Sequence, residues 1–393
     1  MLLILLLITE FLSWVIIRTH FKGRSRTRYY FSTIFNATLS IFLWMTYITT
    51  SSWKGELDEP QHISLMMSLN GAIAAIVVPR IILSLMHFTG IIINRNKEQK
   101  YHPAITSAGF IIWIIIFLIV INGIFIGRFN VKTEVISIEK EGLHPGLNGL
   151  TIVFISDLHL AGFYGHEKFL RKQMEVINSY SPDLVINGGD FVSYGWREFG
   201  GFDTILAVAE GKSGNFAVFG NHDMGTYYPD LDYAGREIHL MKMRELIRKS
   251  GYVLLADENI RININGATLS IAGITTNGRH GHIKYGDLSR TLRGTDDADF
   301  RILISHDPNY WEKEIAGKHD IELTLSGHTH GMQVGIYTKW FRWSPSKYFY
   351  PMWNGLYEHD NNKLYVNRGL GCLGVPFRIF MPPEITVIKL TGQ

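Results

Sequence analysis

Apolar residues fall into two patterns along the chain. Up to about residue 127 they form long runs with almost no charge and no polar face. Beyond it the runs shorten to strand length, and several stop at aspartate, asparagine or histidine. The first pattern comprises Leu2 to Ile17, with Glu10 inside it, and the uncharged run Tyr29 to Trp53. It continues with Ile63 to about Ile93, interrupted by Pro79 and Arg80, and the uncharged run Tyr101 to Gly127. About 20 apolar residues suffice for a helix to cross a bilayer. A water-soluble helix keeps a polar stripe, and these runs have none. Four membrane-spanning helices are therefore expected. The first run is short, but it lacks the basic start and small-residue cleavage site of a signal peptide. Glu10 and Arg80 are the ionised groups inside the spans, a costly location that often marks function. No polar set lines a pathway beside them, so snorkelling or a structural pairing is the expectation.

The second pattern predicts an α/β domain. Thr133 to Glu139 alternates as a half-buried strand does. Leu150 to Leu160 is almost continuously apolar, as in a strand covered on both faces. His166 to Ser179 reads as a helix, Pro182 to Asp190 as a second buried strand and Asn215 to Asp223 as a third. Tyr233 to Lys249 reads as a helix stopped by Gly251. Arg261 to Ile274 suits a hairpin turning at Asn265-Gly266. Phe300 to Pro308, Ile321 to Gly331, Lys363 to Gly371 and Glu384 to Leu390 supply further strands. Helices alternate with strands early and strands dominate late, which predicts α/β layers around two sheets. The expected division is a four-helix transmembrane anchor over 1–130 and a soluble domain over 131–393.

Composition sharpens this picture. Of 393 residues, 46% are hydrophobic and only 19% charged, a deficit confined to the first third. A formal charge of +3, with no Lys/Arg tract in the second half, argues against nucleic acid as a partner. One cysteine, Cys372, excludes an internal disulfide and a thiolate zinc cluster. The loop after the first span carries Arg18, Lys22, Arg24, Arg26 and Arg28, and the third loop Arg95, Lys97 and Lys100. The second loop has Lys54 beside Glu56, Asp58 and Glu59. The positive-inside rule then makes loops one and three cytoplasmic. The N-terminus and everything after Gly127 are expected on the extracytoplasmic side, although Arg128 and Lys132 pull weakly the other way.

Candidate chemistry sits where the buried strands end. The ends read Asp157-Leu158-His159, Gly188-Gly189-Asp190, Gly220-Asn221-His222-Asp223, Ser305-His306-Asp307 and Gly327-His328-Thr329-His330-Gly331. Open α/β sheets build their sites beyond the carboxyl ends of strands. Clustered carboxylates and imidazoles are expensive without a counter-charge, and divalent metals are the natural one. Mixed aspartate, histidine and asparagine donors suit zinc, manganese or iron. Asp157-x-His159 and His328-x-His330 would point each pair to one side if the backbone stayed extended. Asp223 and Asp307 are read as caps of following structure and left outside the ligand set.

In this order and spacing, these residues resemble the calcineurin-like metallophosphoesterase family. Its pattern runs Asp-x-His, Gly-Asp, Gly-Asn-His-Asp/Glu, His and Gly-His-x-His. The likeness covers about Ile136 to Leu390 and fills every ligand position. The closing stretch Val366 to Leu390 is similar to a membrane-associated bacterial branch, which implies a bacterial cytoplasmic membrane. That branch typically continues Gly-His-Thr-His with Gly-Gly-Gln, whereas Met332 stands in the middle here.

The resemblance implies a four-layer α-β-β-α sandwich and two divalent ions (Mn, Zn or Fe). Asp157, His159 and His330 would hold the first ion, and Asn221, His306 and His328 the second. Asp190 would bridge them, and His222 would act at the leaving-group oxygen as general acid or charge stabiliser. The implied activity is hydrolysis of a phosphodiester, pyrophosphate or phosphomonoester by a metal-bound hydroxide. The domain leaves the membrane within about ten residues, which favours a lipid-linked or cell-envelope substrate. The alternative is a non-catalytic metal-binding membrane sensor or interaction protein. Two further features attract attention. His280 and His282 lie in a polar loop, as substrate contacts or plain surface. Tyr337 to Tyr357 is dense in aromatics, carries Lys339, Arg342 and Lys347 and has no acid. It reads either as a membrane-facing segment or as cover for the second sheet.

Overall fold

In the computed structural model, which describes residues 2–22, 25–98, 100–229, 231–277 and 285–392, all four apolar runs are helical. They span Leu2–Phe21, Arg26–Ser51, Pro60–Ile93 and Pro103–Phe129, each long and apolar enough to cross a membrane. The third is not uniform: Ile73–Val77 is a π-helical turn just ahead of Pro79. Proline has no N–H to donate and its ring crowds the carbonyl four residues back, so a widened turn there relieves both problems.

The chain divides into two compact units, one of residues 1–54, 65–126 and 374–379, the other of 55–64, 127–373 and 380–393. The helical unit is apolar on the outside, with Ile4, Phe11, Phe31, Ile34, Met45 and Leu85 exposed. Its polar groups turn inward. Arg80 is fully buried and donates to Asn36 Oδ1 at 2.9 Å and Ser40 Oγ at 2.8 Å. Glu10 Oε2 accepts from Trp44 Nε1 at 2.5 Å. Arg80 therefore does not snorkel; the two ionised groups tie helices together through neutral partners.

The second unit is built on two six-stranded sheets. The strands are β1 (Lys132–Lys140), β2 (Thr151–Ile155), β3 (Leu184–Asn187), β4 (Asn215–Ala217), β5 (Val253–Leu254), β6 (Glu258–Ile264) and β7 (Ala267–Ile274). They continue with β8 (Phe300–Ser305), β9 (Leu323–Ser326), β10 (Ile336–Tyr337), β11 (Arg342–Trp343), β12 (Gly355–His359), β13 (Asn362–Val366) and β14 (Glu384–Gly392). One sheet has the order β1-β14-β2-β3-β4-β5, the other β12-β13-β9-β8-β7-β6. In the first, β2, β3, β4 and β5 run parallel. In the second, β13, β9, β8 and β7 do. The β6–β7 hairpin turns at Asn265-Gly266, as its sequence predicts.

Side-chain alternation creates the layers. Ile152 and Phe154 face the second sheet, where they meet Ile271, Ile302, Ile304 and Leu325. Val153 and Ile155 face outward onto Leu170, Met174 and Ile177 of the helix Glu167–Ser179 and onto Met243 and Ile247 of Tyr233–Lys249. Beyond the second sheet, Trp311 and Ile315 cover Leu303 and Leu364. The result is the expected α-β-β-α order. Both faces of each central strand are covered, which is why these strands read as unbroken apolar runs.

Candidate active site

The parallel strands stop just before the polar residues. β2 ends at Ile155, β3 at Asn187, β4 at Ala217, β8 at Ser305 and β9 at Ser326. The chain then turns sharply. Asp157, His159, Asp190, His328 and His330 have φ of 54°, 44°, 56°, 71° and 49°. The expectation of extended backbone through Asp157-x-His159 and His328-x-His330 is thus incorrect. Left-handed conformation costs a non-glycine residue about 1–3 kcal/mol and persists only where the surroundings enforce it. Here they do: the Asp157 N–H donates to Gly189 O at 2.9 Å and the His159 N–H to Asp190 O at 3.1 Å. Gly327 is required by close approach, since a Cβ there would collide with the Ser156 and Asp157 side chains.

Two groups of donor atoms result, Asp157 with His159 and His330, and Asp190 with His306 and His328. Within each group the atoms lie no more than 4.8 Å apart. The outer hydrogen bonds of the imidazoles fix which nitrogens face inward. His159 Nδ1 lies 3.1 Å from Val192 O, and His306 Nδ1 2.7 Å from Gly188 O. A carbonyl only accepts, so each Nδ1 carries a proton and Nε2 is the nitrogen turned toward the rest of its group. His159 Nε2 then faces His330 Nε2 at 3.1 Å, and His330 Nε2 lies 3.4 Å from Asp157 Oδ1. In the second group His306 Nε2 faces Asp190 Oδ2 at 3.1 Å and His328 Nδ1 at 3.3 Å. Asp190 Oδ2 is also 3.8 Å from His159 Nε2, so one carboxylate oxygen stands between the two groups.

Carboxylates and imidazoles packed this closely in a buried place call for a cation, and the ligand chemistry fits a divalent metal of the zinc, manganese or iron type. Protonation behaviour carries the same message. Burial disfavours charge on His306, yet the Asp190 carboxylate outweighs it and holds the imidazole at about 10. Burial drives His159 the other way, down to about 3.

The remaining candidates lie alongside. Asn221 is buried after β4; its Nδ2 donates to Tyr227 Oη at 3.1 Å, and its Oδ1 has no hydrogen-bond partner. His222 is half-buried, its ring stacked on Tyr227 at 4.2 Å and edge-on to His159 at 5.1 Å. Its Nδ1 lies 2.6 Å from Ser193 O, and its backbone N–H donates to Asp190 Oδ1 at 2.9 Å. Every ligand candidate therefore sits at a strand end of one of the two sheets. His280 and His282 lie outside the described residues. Asp307 Oδ1 accepts the Asn309 N–H at 2.9 Å, as a local turn residue would.

Sequence reasoning missed the residues that hold these turns. Asp223 is not a helix cap: its carboxylate accepts the N–H groups of Asp190, Phe191, Val192 and Gly220. Burial and the Asp190 charge raise it to about 8. Glu198 does the same for Ser193, Tyr194 and Gly195. Tyr350 Oη lies 2.8 Å from His328 Nε2, fixing that ring from outside. Asp223 adjoins the Asn-His pair and so had a signal; Glu198 and Tyr350 had none.

Comparison with known proteins agrees with this geometry. Residues 150–332 match the model of the calcineurin-like phosphoesterase family. The uncharacterized metallophosphoesterase YkuE of Bacillus subtilis is 28% identical over 257 residues, covering 64% of this chain and 82% of its own. An uncharacterized metallophosphoesterase of Campylobacter jejuni is 28% identical over 267 residues, 67% of this chain, and the match spans 63% of that protein. A protein of Danio rerio described as a transmembrane protein with metallophosphoesterase domain is 26% identical over 339 residues, 84% of this chain and 74% of its own. The chain thus carries, after four helices long and apolar enough to cross a membrane, a domain that matches the calcineurin-like phosphoesterase family, whose members are metal-dependent phosphoester hydrolases.

Proposed function

We propose that this protein is a membrane-anchored phosphoesterase in which Asp157, His159 and His330 hold one divalent ion and Asn221, His306 and His328 a second. Asp190 is shared between them. The observation that carries this reading is the convergence of the two groups on Asp190 Oδ2, 3.1 Å from His306 Nε2 and 3.8 Å from His159 Nε2. Bound divalent ions supply Lewis-acid activation of the phosphoryl group and of the attacking water.

The chain's own residues do the rest. The Asp223 and Glu198 carboxylates fix the loop after Asp190, so the donors are held in place before substrate arrives. Ser193 O accepts a hydrogen bond from His222 Nδ1–H, so that in the imidazolium form it is the proton on Nε2 that passes to the leaving-group oxygen, leaving the ring neutral. The donor set serves a phosphodiester, a pyrophosphate or a monoester equally. A lipid-linked or cell-envelope substrate is favoured by the short link between the last span and β1, which begins at Lys132. The Danio rerio relative's description pairs the same two parts, transmembrane protein and metallophosphoesterase domain. We assign residues 1–130 to the anchor and 131–393 to catalysis. By the loop charges, the catalytic domain lies on the extracytoplasmic side of a bacterial cytoplasmic membrane.

The test is hydrolysis of a generic phosphodiester by the purified full chain with added manganese. Turnover that a chelator removes is expected; a fully metallated chain without turnover on any phosphate ester contradicts the reading. A C-terminal reporter that works only in the cytoplasm, if active, overturns the sidedness.

A further inference from the structure

The segment Ile336 to Phe349 exposes aromatic side chains where a soluble domain would hide them. Trp340 is 87% exposed, Tyr348 68%, Phe341 55% and Phe349 51%. Cations are interleaved with them. Lys339 Nζ lies 5.2 Å from the Trp340 ring centre and Lys347 Nζ 5.4 Å from that of Tyr348. The segment contains no acid. It is also held in shape. β10 and β11 pair antiparallel, the Thr338 N–H donates to Phe341 O at 3.0 Å, and the Phe341 N–H donates to Thr338 Oγ1 at 2.9 Å. The hairpin tip therefore presents Lys339 and Trp340 to the outside as a fixed structure.

Its base shows which way it faces. Tyr337 Oη donates to Glu134 Oε1 at 3.0 Å, and the Arg368 guanidinium lies 3.6 Å from the Tyr337 ring centre. Glu134 is the third residue of β1, the first strand after the fourth candidate span, which ends at Phe129. The five residue steps between them reach about 17 Å even when fully extended. The hairpin base is thus tethered within that distance of the end of a membrane helix. Tryptophan and tyrosine concentrate at the water–lipid interface, and lysine and arginine favour anionic headgroups.

We infer that Ile336 to Phe349 is a docking surface for an anionic phospholipid bilayer. The segment leads directly to Tyr350, whose Oη touches His328 Nε2 at 2.8 Å. Docking therefore holds the candidate active site beside the lipid headgroups and favours a substrate whose phosphate is carried by a lipid. That consequence for substrate rests on the phosphoesterase reading; the docking itself does not.

The experiment uses the full chain reconstituted in bilayers of phosphatidylcholine with and without phosphatidylglycerol. In a Cys372→Ala background, Trp340→Cys and Tyr348→Cys carry an environment-sensitive fluorophore. Asp360→Cys is the control. Asp360 and Lys140 line one hollow at the end of β1 away from Lys132. Eight steps along that strand, at about 3.3 Å each, separate the two ends. Headgroup spin-labelled lipid is expected to quench positions 340 and 348 at least twofold, more strongly with phosphatidylglycerol, and to leave position 360 unchanged. Equal, weak quenching at all three positions overturns the proposal. If the cysteine background does not fold, Trp340→Phe in the native chain gives the same answer. It is expected to remove a lipid-quenchable part of the tryptophan emission, and an unchanged quenchable fraction overturns the proposal. Because the readout is optical, a chain with no hydrolytic activity can still pass or fail it.

Discussion

The carboxylate of Asp58 accepts the backbone N–H of Arg197 at 3.2 Å and its Nη1 at 3.1 Å. Asp58 comes from the short loop between the second and third apolar helices, and it is fully buried. Arg197 lies in the loop that follows Asp190. The fit leaves no slack: a Cβ on Gly195 would collide with the Asp58 carboxylate. The same loop carries Ser193, whose carbonyl holds His222, and Val192, whose carbonyl holds His159. A residue from the loop between two apolar helices thus braces the loop that orients the candidate active site.

Asp58→Ala is expected to cost roughly 1.5–3 kcal/mol of stability, the range for hydrogen bonds to a charged group. It should lower kcat more than KM, because substrate binding does not involve this residue. Asp58→Asn, which keeps an acceptor, should recover part of the loss. Steady-state kinetics of the three chains decide the matter, and an unchanged kcat in Asp58→Ala would show the brace to be irrelevant to catalysis.

Glu198 gives the loop a pH dependence. Burial, against three backbone N–H donors and with a small push from Asp58, raises its carboxyl to about 8. An unfolded glutamate titrates near about 4.3. Between those values the folded chain holds a proton that the unfolded chain has lost, so stability falls as pH rises. The thermal midpoint of the native chain should decline between about pH 5 and 8 by more than that of Glu198→Gln, which cannot ionise. Parallel declines in the two chains would contradict this assignment.

His222 should separate chemistry from metal binding. His222→Asn is expected to lower kcat by about 10²–10⁴-fold, the range for a lost general acid. Both ions should remain, because no donor atom of either group is removed. Metal content measured on the same preparation distinguishes this from collapse of the site.

Tyr350 should tune the second group alone. Its hydroxyl steadies His328 Nε2, so Tyr350→Phe frees that ring. Loss of such an outer partner typically weakens metal affinity about 10–100-fold. Titration should show one weakened ion and one unaffected.

Much of this was legible in the sequence, and the reasons are physical. The buried strands announced themselves because both faces of β2, β3, β8 and β9 are covered, so their apolar runs are unbroken. The proposed metal-facing residues stood out because each follows such a run. Their backbone was not. Extended geometry was the natural expectation for Asp157-x-His159, whereas the chain turns left-handed there and is held by bonds to Gly189 and Asp190 from the next strand. Those bonds join residues more than 30 positions apart, which no local pattern encodes. Glu198 and Asp58 were invisible for the same reason: each looks like an ordinary surface acid until the fold buries it. Arg80 was legible as an anomaly, but its neutral partners Asn36 and Ser40 lie on another helix.

The central claim is that Asp190 joins two cation sites. Elemental analysis of the purified chain and of Asp190→Ala, paired with phosphodiester hydrolysis, tests it most directly. The account predicts about two divalent ions per native chain, and loss of both the ions and the hydrolysis in Asp190→Ala. A variant that keeps its full metal content and its turnover would contradict it.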